Sequence, residues 1–368
     1  MLFVQPTANR SGAELSLSQL LEYVIDAKIR AHLLIGGGGA TYDLLSKKCH
    51  TTSIVKIPKL TRRLSSILKV IFSILPLYLE LRKIISAQNI DTIYINTLMV
   101  PQVLIVSALF RKCRVIVHVR EVRTTYPPIL YDTFLCLAGF YANKLVVVCD
   151  YIREGQPIRC RKRVHKKSEL LYNSSALNPP EGSRKLEGTL RILCVIPITL
   201  RKGAFDLVAF SKTMLKIWPE QNFKVHVLGR IDQSDVFGKI KTQIKLLGLG
   251  EYFHFHGEVH DMEQHYASAH ILLHPSHTEA FPRVIVEALN MALPVVTTDA
   301  GGSSEALIEG QTGYVVKVGD MMDMAKKIKY ICGSESVYHR QSKAAFSQYT
   351  KKFTPKILKK TFLEIIER

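Results

Sequence analysis

The sequence predicts an α/β protein made of two doubly wound domains that face each other across a cleft. Short runs rich in β-branched residues alternate with segments of helical apolar spacing, which is typical of parallel sheets covered by helices. The chain has 368 residues, which is too long for one ordinary hydrophobic core and suits two domains. A stretch rich in Ser, Pro and Gly at 174–188 separates the two alternating halves and indicates a linker.

The alternation is clearest after the linker. The run RILCVI is short and apolar, which suits a strand buried on both faces, and the segment 205–218 that follows it has helical spacing. The predicted strands of this half are 191–196, 223–229, 252–257, 271–276, 294–298 and 313–316.

The half before the linker shows the same rhythm. Its predicted strands are 2–5, 31–36, 92–96, 114–119 and 144–148, and its predicted helices are 12–28, 60–87, 98–111 and 128–142. We expect an N-terminal domain over 1–173 and a C-terminal domain over 174–352. The segment 353–368 is one more helical pattern that could pack on either domain, and we place it against the first.

The charge balance indicates an anionic partner. Lys and Arg number 50 against 31 Asp and Glu, a formal excess of 19 positive charges, which suits acidic lipid, a phosphorylated substrate or nucleic acid. The chain has no zinc-finger spacing and no aromatic RNA-binding motif, so we do not expect nucleic acid. The seven cysteines form no CxxC pair, which indicates neither a disulfide framework nor a zinc site and favours the cytoplasm.

A basic and apolar segment at 59–83 raises the question of membrane contact. Its cations are Lys59, Arg62, Arg63, Lys69, Arg82 and Lys83, and a second basic cluster follows at 159–167. Such a segment can lie on an anionic membrane surface, or it can be a domain helix kinked at Pro76 with solvated charges. The longest apolar run, 70–79, is shorter than the roughly 20 residues of a spanning helix, so no transmembrane segment is predicted.

The stretch HTEAFPRVIVEALN at 277–290 holds two glutamates eight residues apart. Glu279 falls in the turn after a predicted strand, and Pro282 is predicted at the first position of the following helix, where its missing N–H costs nothing. Glu287 then lies roughly 8 Å along that helix. The helix start between them is suited to a phosphate, because it offers N–H groups and a positive dipole end. From spacing alone, two surface charges on an amphipathic helix explain the pattern as well.

The longer stretch 265–316 resembles the signature region of retaining GT-B glycosyltransferases of family 4. The shared pattern is a Pro-Ser after a strand, two glutamates eight apart, an Ala-Leu pair, a strand begun by proline, paired glycines, a glutamate and a Gly-Tyr strand. Weaker similarity extends over the chain and includes a first glycine loop and helix at 10–21. The resemblance implies the GT-B architecture, in which two Rossmann-like domains face an interdomain cleft. The first domain then binds the acceptor and the second binds the nucleotide-sugar donor.

The resemblance also implies roles in the second domain. It places Glu279 near the donor sugar, as a catalytic residue, and Glu287 at the ribose of the nucleotide. Lys202, in a Lys-Gly pair, would hold the diphosphate, which Phe281 and Pro282 would line.

Two features of the first domain are matched in the same way. The family places a histidine at the end of a strand, facing the sugar, and His118 fits that place as a second catalytic residue. Without the resemblance, a lone histidine in an apolar strand reads as a core residue. Gly12 would bind the donor through the glycine loop, and Ser11 with Glu14 also has the spacing of a helix capping box.

The chain departs from the family pattern at three places. Ile196 and Pro197 stand where a Gly-Arg pair is usual, and Arg201 or Arg230 could supply the missing cation at the diphosphate. Alanine replaces glycine at two further positions, Ala280 and Ala292. Alanine is a mild change in helical backbone and a costly one where φ is positive.

The predicted reaction is metal-independent, retaining transfer of a sugar from a nucleoside diphosphate, with UDP expected before GDP. Its transition state has oxocarbenium character, so cations and dipoles must stabilise the leaving diphosphate. The chain has no Asp-x-Asp pair to hold a metal against the phosphates, and no cofactor is expected. No covalent nucleophile is identified, which favours a front-face route in which the leaving phosphate accepts the proton of the acceptor.

The expected acceptor is a hydroxyl of a cell-surface polysaccharide, a lipopolysaccharide or a lipid-linked glycan. The expected location is the cytoplasm, with peripheral contact on the inner, anionic face of the cell membrane. Two alternatives are a non-catalytic GT-B partner protein, which the missing Gly-Arg pair favours, and a nucleotide-sugar epimerase of the same fold. A phosphorylase would need a lysine that carries pyridoxal phosphate, and no feature singles one out.

Overall fold

The computed structural model describes residues 1–9, 11–58, 64–155, 157, 159–180, 182, 184–231 and 233–367. Contacts divide the chain into two compact units. The first unit is Met1–Tyr172 with Leu358–Arg368, and the second unit is Asn173–Ile357. Within the described ranges, every helix is too short or too polar to span a bilayer.

The first unit is built on a seven-stranded parallel sheet. Its strands are β1 (Leu2–Gln5), β2 (His32–Ile35), β3 (Thr51–Ile54), β4 (Thr92–Ile95), β5 (Arg114–Val119), β6 (Lys144–Val147) and β7 (Ser168–Leu170). The strand order is β3-β2-β1-β4-β5-β6-β7, so the winding reverses between β1 and β4. All four residues of β1 are buried, and the first three are apolar, as expected for a strand covered on both faces.

Helices cover this sheet. They are α1 (Gly12–Asp26), α2 (Tyr42–Ser46), α3 (Leu64–Gln88), α4 (Pro101–Ala108), α5 (Pro128–Tyr141), α6 (Asp150–Glu154) and α7 (Arg161–Lys167). In α1, the residues Leu17, Leu21 and Val24 recur at intervals of four and three and are fully buried. This spacing gives the helix one apolar face, which packs in the core of the first unit.

Two strands were not predicted, and both lie at the edges of the first sheet. The edge strand β3 has the sequence TTSI, and none of its residues is buried. The opposite edge strand, β7, is three residues long and half-buried. An edge strand that faces solvent does not need the apolar run by which the other strands were recognised.

The second unit has a six-stranded parallel sheet. Its strands are β8 (Leu190–Val195), β9 (Phe223–Leu228), β10 (Phe253–Gly257), β11 (Ile271–His274), β12 (Val295–Thr298) and β13 (Gly313–Val316). Its helices are α8 (Asp206–Ile217), α9 (Ser234–Leu246), α10 (Glu263–Ser268), α11 (Arg283–Asn290), α12 (Met321–Cys332) and α13 (Glu335–Lys352). The strand order is β10-β9-β8-β11-β12-β13, and the winding reverses between β8 and β11. The predicted pair of doubly wound parallel sheets is confirmed.

The last helix, α14 (Pro355–Glu367), packs in the first unit. The ring of Phe362 is fully buried and lies edge-on to Tyr94, with 5.7 Å between the ring centroids. Arg114 donates hydrogen bonds to the carbonyl oxygens of Ile365 and Ile366 at 2.8 and 2.7 Å. These carbonyls belong to the last turn, whose acceptors lack partners within the helix, so the arginine caps it.

The predicted linker begins as a packed segment. Ser174 and Ser175 are each 1% exposed. The Tyr349 hydroxyl donates to the carbonyl of Ser175 at 2.7 Å, and the Asn290 amide donates to the Ser175 hydroxyl at 3.1 Å. The start of the linker is therefore held within the second unit.

Candidate functional site

The winding reversal in the second unit places two candidate residues at one edge of the sheet. At such a reversal, the loops after two neighbouring strands turn to opposite faces and leave a crevice at the carboxyl edge. The loop after β8 carries Lys202, and the loop after β11 carries Glu279. Both residues were predicted as donor-site residues, and the topology brings them together at the position where ligands bind in open α/β sheets.

Lys202 and Glu279 form an ion pair in which the Lys202 ammonium contacts Glu279 Oε1. The two side chains are only 15% and 11% exposed. The same carboxylate oxygen is 3.2 Å from His274 Nε2, and Nδ1 of that imidazole is 3.0 Å from the Thr297 hydroxyl. His274 and Thr297 were not predicted as site residues. The sequence did contain a clue to them, because each is a polar residue near the end of an otherwise apolar strand.

The charge of Glu279 is set by two opposing influences. Burial on its own would raise the pKa of this carboxyl, because a charged group loses its hydration in the protein interior. The positive charge of Lys202 and the hydrogen bond from His274 outweigh burial and hold the pKa of Glu279 well below its usual range. The site therefore keeps a fixed carboxylate at neutral pH.

Gly203 allows the two loops to approach each other. Its φ is +72°, and a Cβ atom at this position would lie 2.0 Å from the carbonyl oxygen of Pro275. Only glycine fits such a contact with left-handed backbone. The loops are also joined by the His277 amide, which donates to the Arg201 carbonyl at 2.9 Å, and by the Arg201 guanidinium, which donates to the Thr278 carbonyl at 3.3 Å.

The helix after this loop begins one residue later than predicted. Pro282 has φ −72° and ψ 120°, so it is the N-cap, and the first helical residue of α11 is Arg283. The prediction of Pro282 at the first helical position was wrong, because extended and helical backbone share the φ that proline imposes and differ in ψ. The Phe281 ring is buried against Phe353, with 5.8 Å between centroids, and the Phe281 carbonyl accepts a 2.8 Å hydrogen bond from Asn173.

Glu287 is also held by specific partners. The Tyr266 hydroxyl donates to Glu287 Oε2 at 2.9 Å, and Arg283 approaches Oε1 at 3.5 Å from one turn earlier in α11. The Glu287 side chain is 16% exposed. Burial and the neighbouring Glu287 charge raise the pKa of Tyr266 well above its usual value, so this tyrosine is a hydrogen-bond donor at neutral pH. The interpretation of both glutamates as free surface charges is therefore wrong.

The departures from the family pattern have different structural consequences. Ile196 is 1% exposed and belongs to the core, and a Cβ atom added at Gly229 would lie 2.0 Å from its carbonyl oxygen. Neither Ile196 nor Pro197 carries a charge, so this pair supplies no cation. Arg201 is the exposed cation beside the loop of Glu279. Ala292 has φ +53°, the left-handed region, so alanine is strained at this position.

In the first unit, His118 lies in β5 and is 1% exposed. Its Nδ1 is 2.5 Å from the Tyr94 hydroxyl, and its Nε2 is buried and has no hydrogen-bond partner among the described residues. Burial, with a smaller contribution from Arg120, lowers the pKa of His118 well below its usual value, so the ring is neutral at pH 7. A neutral ring whose Nδ1 is engaged by tyrosine presents Nε2 as its remaining polar atom.

The reversal between β1 and β4 carries a second polar cluster. Glu14 is 2% exposed and accepts hydrogen bonds from three side chains, those of Gln5, Thr7 and Ser11. Gln5 in turn accepts a 2.8 Å hydrogen bond from Asn96, which accepts one from Arg120 at 3.0 Å.

The predicted capping box is wrong in its partners. The Ser11 hydroxyl donates to the Glu14 carboxylate and does not cap a backbone amide. Gly12 is the first residue of α1 and is exposed.

Among the residues that the structure describes, no three His, Cys, Asp or Glu side chains are grouped in a way that could hold a metal ion. The acidic and histidine side chains of the site have other partners: Glu279 binds Lys202, Glu287 binds Tyr266, and His274 binds Thr297.

Residues 180–352 match the family model of glycosyl transferases group 1. This segment lies within the second unit. The capsular polysaccharide biosynthesis glycosyltransferase CapM of Staphylococcus aureus is 29% identical over 163 residues, which are 43% of this chain and 40% of CapM. The lipopolysaccharide core biosynthesis mannosyltransferase LpcC of Rhizobium leguminosarum bv. viciae is 30% identical over 152 residues, 39% of this chain and 42% of LpcC. The chain thus spans less than half the length of these curated relatives.

Solved structures resemble the whole chain. The crystal structure of Anabaena HepE in complex with UDP and glucose has a TM-score of 0.79 and 19% identity, and it covers 100% of this chain and 98% of that chain. Sucrose-phosphate synthase from Thermosynechococcus elongatus has a TM-score of 0.76 and 15% identity, with 100% and 98% covered. At these identities the likeness shows the fold, and the predicted GT-B fold class is confirmed. The family match and the relatives' names support the predicted glycosyltransferase class.

Proposed function

We propose that this protein is a retaining glycosyltransferase that moves a sugar from a nucleoside diphosphate, UDP before GDP, to a hydroxyl of a surface polysaccharide, a lipopolysaccharide or a lipid-linked glycan. The observation that carries the proposal is the buried ion pair of Lys202 and Glu279 at the winding reversal of the second unit, inside the segment that matches the family. The names of CapM and LpcC support the acceptor class, and the UDP bound to HepE supports the nucleotide.

The cationic edge of this site is assigned to the diphosphate. Departure of a nucleoside diphosphate leaves negative charge on its phosphate oxygens, and donors already in place stabilise that charge in the transition state. Lys202 and Arg201 are the nearby cations, and the start of α11, capped by Pro282, adds a positive dipole end. Phe281 contributes through its main chain, because its ring is committed to Phe353.

Glu287 is assigned to the ribose. Each of its carboxylate oxygens faces one protein partner, Tyr266 or Arg283, and a carboxylate oxygen can accept more than one hydrogen bond. Hydroxyl groups of a ribose are donors of the kind that an ionised carboxylate accepts strongly.

Glu279 is assigned to the donor sugar. Its lowered pKa keeps it ionised, so it can oppose the positive charge that develops at the anomeric carbon. Transfer would follow the front-face route, in which the leaving phosphate takes the proton of the acceptor hydroxyl. His118 is the second catalytic candidate, through Nε2, and Gly12 is the donor-binding candidate of the first unit.

We infer that the reaction needs no metal ion, because Lys202, Arg201 and the helix start already supply positive charge to the diphosphate. Chelator treatment should then leave turnover unchanged. The proposed location is the cytoplasm, with contact on the inner face of the cell membrane.

The proposal is tested with Glu279→Gln, which keeps the shape of the side chain and removes its charge. Release of UDP from a panel of UDP-sugars, with water or added glycans as acceptors, measures turnover, and calorimetry measures UDP affinity. We expect kcat to fall at least about 100-fold, as for loss of one transition-state electrostatic group. UDP affinity should hold or rise, because Lys202 is freed to meet phosphate.

The matched control is Glu220→Ala, an exposed glutamate that precedes β9 at the opposite edge of the sheet. It should leave both kcat and UDP affinity at wild-type values. An unchanged kcat in Glu279→Gln would remove its catalytic role. Conversion of the UDP-sugar to an isomer without UDP release would favour the epimerase, and UDP binding without any turnover of donor would favour the non-catalytic partner.

A further inference from the structure

One face of α3 exposes a continuous row of large apolar side chains. The exposed fractions are 54% for Leu68, 54% for Ile71, 76% for Phe72, 65% for Leu75 and 55% for Leu79. Their spacing of three and four residues places them on one side of the helix, over a length of about 16 Å. Single exposed apolar residues are ordinary, but a contiguous row of this size marks an interaction surface.

This row is not the face that holds α3 to the protein. Leu77 and Leu81, on the opposite side of the helix, are 1% and 0% exposed, and Ile84 beside them is 7% exposed. On a third side, Tyr78 stacks on Phe110, which lies just after the end of α4, with 5.5 Å between the ring centroids. The helix is therefore apolar on the side that packs inward and also on the side that faces solvent.

Cations accompany the exposed row. Lys69, Arg82 and Lys83 are exposed. At about 100° per residue, Arg82 lies in line with the row and three residues beyond Leu79, whereas Lys69 and Lys83 lie along one flank of it. One half-buried acid, Glu80, lies beside them. The predicted cations Lys59, Arg62 and Arg63 fall outside the described residues.

We propose that this face of α3 lies in the interface of an anionic lipid bilayer, with the apolar row among the acyl chains and the cations at the headgroups. A helix with a large apolar face and basic residues beside it has the composition of an interfacial helix. Charge complementarity selects the occupant: a second copy of the chain would bring Lys69, Arg82 and Lys83 against their like-charged equivalents, whereas acidic headgroups neutralise them. Lipid contact goes beyond sugar transfer and does not require it.

The test is co-sedimentation of the full chain with vesicles of phosphatidylcholine, with and without phosphatidylglycerol. The variant Phe72→Ser/Leu75→Ser removes the centre of the row, and Arg82→Gln/Lys83→Gln removes two charges. The control is Leu246→Ser, which replaces a leucine of similar exposure, 79%, at the end of α9 in the second unit. All of these positions are exposed, so folding should be unaffected, and thermal unfolding checks this.

We expect wild type and Leu246→Ser to bind vesicles that contain phosphatidylglycerol. Loss of the two apolar side chains should weaken partitioning roughly 100-fold, and loss of the two charges should weaken it on the order of tenfold. Equal binding by Phe72→Ser/Leu75→Ser and the control overturns the proposal. The proposal is also overturned if light scattering shows that the wild type is a dimer, and if Phe72→Ser/Leu75→Ser makes it a monomer without changing its vesicle binding. UDP calorimetry on the same variants tests the proposed function separately, because loss of lipid binding should leave UDP affinity unchanged.

Discussion

The ion pair of Lys202 and Glu279 gives a quantitative prediction. In Lys202→Met the long side chain is kept and its charge is lost, so Glu279 stays buried and keeps His274 as a hydrogen-bond partner. Because the two side chains are 15% and 11% exposed, solvent screens the pair weakly. Removal of one partner of such a pair costs about 3 to 5 kcal/mol of unfolding free energy. We predict a loss of about 3 kcal/mol at pH 7, since His274 retains part of the stabilisation.

The loss should depend on pH with a definite sign. In the wild type, the pKa of Glu279 is lowered on folding, so its contribution to stability is present above its unfolded pKa of about 4.3 and is lost as pH falls towards the folded value. In Lys202→Met, burial becomes the dominant influence and the pKa of Glu279 rises. The variant then takes up a proton as pH falls, so the stability gap between wild type and variant should shrink from pH 7 to pH 4.

Trp218 provides the assay. It is the one tryptophan of the sequence, it is 8% exposed, and it belongs to the core of the second unit, which also holds the ion pair. Trp218 fluorescence, measured as urea is increased, therefore reports unfolding of the second unit. Lys212→Met, at an exposed lysine of α8, is the control and should change stability by less than about 0.5 kcal/mol.

A double-mutant cycle of Lys202→Met and Glu279→Gln isolates the pair. The expected coupling is about 2 kcal/mol at pH 7, within the range measured for residues in direct contact. A coupling below about 0.5 kcal/mol, or a stability gap that is the same at pH 7 and pH 4, would show that Lys202 and Glu279 do not stabilise each other in the folded protein.

Two backbone predictions use the same fluorescence assay. Ala292→Gly should stabilise the second unit by about 1 kcal/mol, because the φ of Ala292 is +53°. Ala288→Gly, inside α11, should destabilise the unit by a similar amount. If both variants stabilised the unit, or neither did, the expected strain at Ala292 would be absent. Gly203→Ala should destabilise the second unit by about 3 kcal/mol or more, because its φ is +72° and the added Cβ would contact Pro275. Its control is Gly238→Ala, which lies in α9 with open space around it and should stabilise the unit by up to about 1 kcal/mol. Wild-type stability in Gly203→Ala would show that the two loops can separate.

The strands and helices could be predicted from the sequence where their apolar residues follow a regular pattern. Buried parallel strands such as β1 and β11 have an apolar run each, and helices such as α1 have a buried face at regular intervals. Glu279 and Lys202 were predicted from the family resemblance, whereas the strand order that places them at one winding reversal is known only from the structure. The edge strand β3 was missed because its side chains meet solvent.

Features that depend on contacts distant in sequence could not be predicted. Tyr266 is identified as a site residue only because the fold brings its hydroxyl to Glu287, 21 positions later in the chain. The left-handed backbone of Ala292 has no signal in its side chain, although the glycine usual at that place pointed to it. Similarly, nothing in the spacing of Ser11 and Glu14 distinguishes a capping box from a direct side-chain hydrogen bond.

The proposed function requires that the second unit bind a nucleoside diphosphate through Glu287 and Lys202. The most direct measurement is calorimetric titration of wild type, Glu287→Ala and the control Glu220→Ala with UDP, GDP, ADP and CMP. We predict selective binding of UDP by wild type and control, and an affinity loss of roughly 10- to 100-fold in Glu287→Ala, as for loss of hydrogen bonds to a charged group. If none of the nucleotides binds, or if Glu287→Ala binds UDP as tightly as wild type, the proposed nucleotide site is wrong.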